Sequence, residues 1–430
     1  MEEILFDPKI FINAPYWDCP KCKAKSSFGV LSISGNHYSR RCKECWYTQG
    51  YELPKLHKKI IYLDQFAISN MEKILNPKVA EQQKKRIDKF WFQLFEKLDT
   101  LSKLQLIICP DSITHQNESK VTVEHYETLK RMYELLSHGT SFDHFDTIER
   151  FQLCDHAENW VRGNEDKDVE INIRSVIHGN LHGWNDRFII SVDASNIEED
   201  VRLLKANKQS SQGQMNQLFK KWQQQKDFDF EKHWDFELSS YGNIIKKLYL
   251  EYIENFAKVQ FGLSNNMDKL MDTRILTIVH SLKEIFSETG LDEEEALIKV
   301  GEFLSSPSLR NIPFLKISTL LYTALARKAA TGQKRIPNAS FFDDVKTISA
   351  LMPYCDAMFI DNECASLLRE EPLRSRISYQ TKVFSVNTKE EFLKYLDEIE
   401  NGTPKGHFDK VKEVYGETWH KPYNTLYMND

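Results

Sequence analysis

The sequence predicts an α/β fold: a parallel sheet with crossover helices, a large, mainly helical insertion and a small N-terminal ribbon. Three observations lead there. Short apolar runs (KIIYL, LQLIIC, AMFI) alternate with longer amphipathic stretches, the pattern of strands wound in parallel through helices. Two C-x2-C pairs stand close together near the N-terminus. From about residue 140 to residue 310 the periodicity is mainly helical, which is more helix than crossovers need. At 430 residues the chain has length for two or three structural units and a sizeable core.

The four cysteines Cys19, Cys22, Cys42 and Cys45 form C-x2-C-x19-C-x2-C, the spacing of a zinc ribbon over residues 1–57. Two residues between thiolates let both sulfurs of a tight knuckle face one ion, and two knuckles close a tetrahedron. Four thiolates leave no open position, so a structural zinc is expected. Between the knuckles, SSFGVLSISGNHYSRR alternates like a hairpin around Ser-Gly-Asn. Residues 18–59 carry nine Lys and Arg against Asp18, Glu44 and Glu52, with Trp17, Tyr38, Trp46 and Tyr47 interleaved. Arg40, Arg41, Lys43 and Trp46 are therefore candidates for binding phosphates and unpaired bases. The alternative is a solvated ribbon that packs on its neighbour through the aromatics.

The first strand, Ile60 to Leu63, ends at Asp64 and turns into helix. Residues 79–103 read as one amphipathic helix with Phe90, Leu94, Phe95 and Leu98 on a stripe. LQLIICP is a second strand stopped by Pro110, and DSITHQNESKVTVEHYETLKRMYELL is helical, capped by Asp111 or Ser112. These pieces make residues 58–125 the first part of the sheet domain and 126–311 the helical insertion. Within the insertion, KANKQSSQGQMNQLFKKWQQQK reads as loop or solvated helix, and RFIISVD as a further strand ending at Asp193. Residues 312–430 form the second part of the core and a tail. There FLKISTLLYTALARKAA is helix, TGQKRIPNAS loop, FFDDVKTISALMPY helix, AMFI strand, NECASLLRE helix, TKVFSV strand and NTKEEFLKYLDEIEN helix, with little signal beyond Gly402.

A composition of 41% hydrophobic and 28% charged residues with net charge −6 is ordinary for a globular protein and excludes one coated throughout in basic residues. No apolar run of about eighteen residues exists, so no membrane span is expected. MEEILFDPK lacks the basic-then-apolar pattern of an export signal. A cytoplasmic location follows as the expectation, with the eight cysteines as metal ligands or buried thiols before disulfides.

In parallel sheets, ligands sit outside the carboxyl ends of the strands. Asp64 closes the first strand, Glu118 falls two helical turns after Pro110, Asp344 opens a helix, and Asp361 ends AMFI. Such a sheet brings all four to one edge. Clustered carboxylates stay ionised together only with cations between them, and an all-oxygen set selects Mg²⁺ or Mn²⁺. Phosphodiester hydrolysis is the chemistry such ions serve. Asp343 competes with Asp344, and Glu124 or Asp193 with Glu118. Asp356, at the far end of AMFI, is expected to cap or pair locally.

This order of acids resembles a PIN-domain nuclease. YLDQFAIS is similar to that family's first strand and aspartate, PDSITHQNES to its glutamate segment, and DDVKTISALMPYCDAMFID to its third and fourth acids. The likeness covers residues 58–125 and 312–395. It implies a PIN-like parallel sheet and a metal-dependent endonuclease, with RNA the expected substrate and a toxin or defence effector the associated setting. Asp64, Glu118, Asp344 and Asp361 would be the catalytic and Mg/Mn-binding residues. The long helical block departs from a compact member of the family, and gating, substrate binding, a regulatory partner or homo-oligomer formation are its candidate roles. The rival reading is a non-catalytic nucleic-acid- or protein-binding module on a degenerate PIN fold. His115 reads as a hydrogen-bonded structural histidine, His178 and His182 as members of a solvated loop, and Cys109, Cys154, Cys355 and Cys364 as core thiols.

Overall fold

The computed structural model describes residues 12–121, 125–186, 197–263, 273–338, 340–417 and 419. Strands β1 (Asn13–Trp17), β2 (Phe28–Ser34), β3 (His37–Cys42) and β4 (Thr48–Glu52) form an antiparallel sheet in that order. Gly35 and Asn36 make the β2–β3 turn, and Gly35 sits at φ +59°, a conformation glycine adopts without strain.

The chain continues through β5 (Lys59–Leu63), α1 (Gln65–Leu75), α2 (Glu81–Lys84), α3 (Phe90–Lys103), β6 (Ile107–Ile108), α4 (Ile113–Val121) and α5 (Tyr126–Ser137). Then come β7 (Ser141–Phe142), α6 (Phe145–Val161), β8 (Ile177–His178), α7 (Ile197–Gln223), α8 (Phe230–Gln260), α9 (Thr273–Ser287), α10 (Glu293–Phe303) and α11 (Pro313–Ala330). It closes with α12 (Phe341–Leu351), β9 (Ala357–Phe359), α13 (Asn362–Arg369), α14 (Leu373–Arg376), β10 (Lys382–Phe384), α15 (Lys389–Asn401) and α16 (Lys405–Tyr415).

The second sheet is parallel, in the order β10-β9-β5-β6. From β5 the chain moves to β6 on one side, then crosses to β9 and β10 on the other. The direction of winding therefore reverses between β5 and β9, and Leu63 pairs with Phe359 at the end of that junction.

Successive side chains of a strand point to opposite faces, and here both faces are covered. Ile61, Leu63, Ile107, Ala357 and Phe359 pack with α1, α3, α5 and α15. Tyr62, Ile108, Met358 and Ile360 share a second core with Leu153, Phe219, Trp234, Leu282 and Leu320 from the long helices. The block at 126–311 is therefore no detached insertion. Its α5 completes the first face, so the sheet domain runs past residue 125, and α6 to α9 help cover the second. A parallel sheet has to be buried on both sides, and these helices do part of that work.

Several elements differ from the sequence reading. Residues 79–103 hold two helices, α2 and α3, and the following helical stretch is divided into α4 and α5. The Gln-rich stretch is helical up to Gln223, the end of α7, where Met215, Phe219 and Trp222 are buried at i, i+4 and i+7. The tail beyond Gly402 contains α16, whose Val411, Val414 and Tyr415 pack on Val30, Ile33 and Tyr38 of the ribbon. RFIISVD lies outside the described residues. Among those described, no helix is long and apolar enough to cross a membrane.

Candidate functional site

Two clusters of ligand-type side chains form. In the ribbon, the sulfurs of Cys19, Cys22, Cys42 and Cys45 all lie within 4.8 Å of one another. Cys19 Sγ is 3.6 Å from Cys45 Sγ, and Cys22 Sγ is 3.7 Å from Cys42 Sγ. A tetrahedron with Zn–S bonds near 2.3 Å has edges of about 3.8 Å, so the set is compatible with a zinc ion. The knuckles are pre-shaped by N–H groups aimed at sulfur: Cys22 N–H donates to Cys19 Sγ at 3.4 Å and Glu44 N–H to Cys42 Sγ at 3.3 Å. Burial opposes ionisation of Cys42, but the Ser27 hydroxyl and the Cys45 and Glu44 N–H groups win and bring its thiol down to about 6.

Arg40 does not serve the surface role expected of it. It is fully buried, donating to the Pro15 carbonyl at 2.6 Å, Phe28 at 3.2 Å and Glu413 at 3.1 Å. Its guanidinium lies 3.3 Å from the centre of the Trp17 ring. The strand alternation carries the signal: Tyr38, Arg40 and Cys42 share one buried face of β3. Arg41, Lys43 and Trp46 remain reachable. Arg41 donates to Thr48 Oγ1 at 3.1 Å, Lys43 lies over the Tyr16 ring, and Trp46 is 48% exposed.

The second cluster is acidic. Asp64 follows β5, caps α1 through the Phe66 N–H at 3.4 Å, and donates its own N–H to the Phe359 carbonyl at 2.9 Å. Asp361 follows β9 and caps α13, its Oδ1 accepting from Glu363 N–H at 2.6 Å and Cys364 N–H at 3.1 Å. Asp344 arrives on the first turn of α12, and one of its oxygens lies within 4.8 Å of ligand atoms of Asp361 and Cys364. Glu118 comes from α4. Asp343 is exposed whereas Asp344 is half-buried, which separates those competitors. Glu124 and Asp193 lie outside the described residues.

The four acids feel one another. Burial, then the charges of Glu118 and Asp361, push the Asp64 carboxyl up to about 7, with His115 and the Phe66 N–H opposing. Burial and the charges of Asp64, Asp361 and Glu118 hold Asp344 well above the usual carboxylate range. Asp361 Oδ2 is buried without a hydrogen-bond partner. A buried acceptor aimed at further carboxylates calls for a cation or a proton. Cys364, buried in the same cluster, has its thiol pushed well up by burial and by Asp361. It adds no anion, and the oxygen set suits hard divalent cations.

His115 is buried, with Nε2 2.6 Å from the Leu63 carbonyl and Nδ1 3.2 Å from Asp111 Oδ1, between the rings of Tyr62 and Tyr133. Asp356 accepts from Lys59 Nζ at 2.7 Å and from Ile60 N–H at 2.9 Å. Sequence reasoning passed over Glu363 and read Cys364 only as a core thiol, which its burial bears out, although both lie in the first turn after the helix cap at Asp361. Burial raises the Glu363 carboxyl, and Gln333 Nε2 donates to it at 3.2 Å.

The ribbon's core and the acids stand at opposite ends of the parallel strands. Leu53 and Leu56, which lead into β5, and Leu104, which precedes β6, pack in the ribbon's core, while the acids follow the strands' carboxyl ends. The length of β5, about 17 Å at 3.3 Å per residue, lies between. No protein-family model, curated protein or solved structure matches the chain.

Proposed function

We propose that the protein is a metal-dependent endonuclease that hydrolyses phosphodiester bonds in RNA on a PIN-like core. The observation that supports this reading is that Asp344 and Asp361 come together by the reversal between β5 and β9, within electrostatic reach of Asp64 and Glu118. That place is where open α/β sheets bind ligands. Mg²⁺ or Mn²⁺ held there would supply polarisation of a phosphoryl oxygen and an activated water. The chain's own part is positioning. Two backbone N–H groups fix Asp361 Oδ1 and leave Oδ2 turned to the cluster, and the α1 cap orients Asp64. Asp344 and Glu118 approach on α12 and α4, two helices joined by a 2.8 Å hydrogen bond between Thr347 and Thr114.

The four cysteines hold a structural zinc in this reading. RNA as substrate rests on the resemblance and on the reachable Arg41, Lys43 and Trp46, which suit single strands. Because the ribbon lies at the far end of the strands, it would grip a strand several nucleotides from the cut. A cytoplasmic setting, as toxin or defence effector, belongs to the same reading.

The test is cleavage of labelled single-stranded RNA and DNA with Mn²⁺, with and without chelator. Chelator-sensitive cutting, faster on RNA, is the expected result. Binding without cutting under every condition would favour the non-catalytic module.

A further inference from the structure

Two glutamines of α7 hold a loop beside the acids. Gln212 and Gln223 stand eleven residues apart, close to three helical turns, and so share a face. That face meets the loop that follows α11, residues 331–338. Gln223 Nε2 donates to the Gln333 carbonyl at 3.0 Å, and Gln212 Nε2 to the Pro337 carbonyl at 3.3 Å. Within the loop, Gln333 Nε2 donates to the Arg335 carbonyl at 2.8 Å. Pro337 is buried, and Ile336 packs on the core of the long helices. The Gln-rich stretch thus fixes this loop's backbone from a neighbouring element.

The loop leads into α12, whose first turn carries Asp344. Gln333 Nε2 also donates to Glu363 Oε1 at 3.2 Å, and Glu363 N–H donates to Asp361 Oδ1 at 2.6 Å. A single residue therefore links the loop to Asp361. Lys334 and Arg335 are exposed here, and neither has a side-chain ion pair or hydrogen bond among the described residues. Burial raises the Glu363 carboxyl; Gln333 opposes it, and so does the charge of Arg335. Arg335 is thus within electrostatic reach of the first turn after Asp361. Acidic residues outnumber basic ones, 63 to 57, so the two cations are not unmatched for want of carboxylates. A phosphodiester strand is repelled by clustered carboxylates, and cations beside them offset that repulsion.

We propose that Lys334 and Arg335 are the phosphate-binding rim of the acidic site, taking backbone phosphates of a single-stranded nucleic acid beside Asp344 and Asp361. Gln212, Gln223 and Gln333 are positioning residues that hold the rim's backbone. The role rests on the reading of the acids as a nuclease centre, but the contact is made whether or not the strand is cut. Arg41 and Lys43 of the ribbon stand at the other end of the parallel strands, about 17 Å of β5 away. The two sets therefore meet different phosphates of one strand.

Fluorescence anisotropy of a labelled oligouridylate, titrated with the full chain over a range of salt and with no divalent cation added, reads the rim apart from any cutting. Each phosphate contact to a single strand contributes about 0.7 to the slope of log K against log salt. The double variant Lys334→Gln, Arg335→Gln should lower the slope by about 1.4 and weaken binding, with an unchanged melting temperature. The charge-preserving pair Lys334→Arg, Arg335→Lys should keep the wild-type slope. A wild type that does not bind, a full slope in the Gln variant, or a lowered slope in the charge-preserving one would overturn the proposal. The expected slopes together with no cleavage by the wild type in Mn²⁺ would support the rim and count against the nuclease reading alone.

Discussion

The N–H of Asp64 donates to the carbonyl of Phe359, two residues before Asp361, at 2.9 Å. This one bond ties the ends of β5 and β9 together and fixes both strand-terminal acids at the reversal of the sheet. Asp356, at the other end of β9, is 297 residues from Lys59 in sequence and 2.7 Å from its Nζ in space. The two aspartates around AMFI therefore differ in kind. Asp356→Asn should lower stability by about 1 kcal/mol through the weakened bond to Ile60 N–H and the lost pair with Lys59. Asp361→Asn should leave the metal-free protein equally or more stable, because it removes one of several facing like charges. Thermal melts of both variants in chelator check the contrast.

Arg40 offers a second division of roles. Replacing it with Met leaves three carbonyls without their donor and should cost about 2–4 kcal/mol, read as a lowered melting temperature. The substitutions Arg41→Ala, Lys43→Ala and Trp46→Ala together should leave the melt nearly unchanged. They should weaken binding of single-stranded RNA and flatten its salt dependence. An unchanged salt slope would mark the ribbon as purely structural.

Metal analysis of the native protein should find one zinc ion per chain. Cys22→Ser should release it and loosen the ribbon, and with it α16, whose packing partners are Val30, Ile33 and Tyr38. The parallel sheet should persist, since the core of α1, α3, α5 and α15 draws nothing from the ribbon. Near-UV circular dichroism with and without a zinc chelator reads the difference.

Lys58 is buried where ribbon and sheet domain meet, its Nζ donating to Asn185 Oδ1 at 2.9 Å. Burial carries its ammonium down to about 7. Between that value and an unfolded pKa near 10.4 the folded chain binds fewer protons than the unfolded one, so this group makes stability rise with pH from about 7 to about 10. Below about 7 it is charged in both states and its full desolvation cost applies. Lys58→Met should raise stability at pH 6, by about 1–3 kcal/mol after the loss of the Asn185 contact, and less at pH 9. Denaturant melts at the two pH values measure it, and an equal effect at both would contradict the assignment.

Three of the sheet's four strands were legible because each is a short apolar run closed by a charge or a proline: KIIYL before Asp64, AMFI before Asp361, LQLIIC before Pro110. Local pattern says little about which face a helix covers, so α5 and the long helices looked separable from a core that they complete. Arg40 was misplaced because its charge outweighed its place in the β3 alternation with Tyr38 and Cys42. α16 was missed because KGHFDKVKEVY offers few apolar positions, and those it has meet the ribbon, hundreds of residues away in sequence. Of the acidic site, the order of Asp64, Glu118, Asp344 and Asp361 could be read. The orphaned Asp361 Oδ2 and the buried Cys364 beside it depend on three-dimensional packing.

The central claim, that the acids at the β5–β9 reversal cut phosphodiester bonds, is tested most directly by Mn²⁺-dependent cleavage of single-stranded RNA. Wild type is compared with Asp64→Asn, Asp361→Asn and their double variant. The account predicts that each single variant loses at least about a hundredfold in rate and that the double variant loses little more, because residues of one site fail as a unit. Wild-type rates in both Asp64→Asn and Asp361→Asn would contradict it.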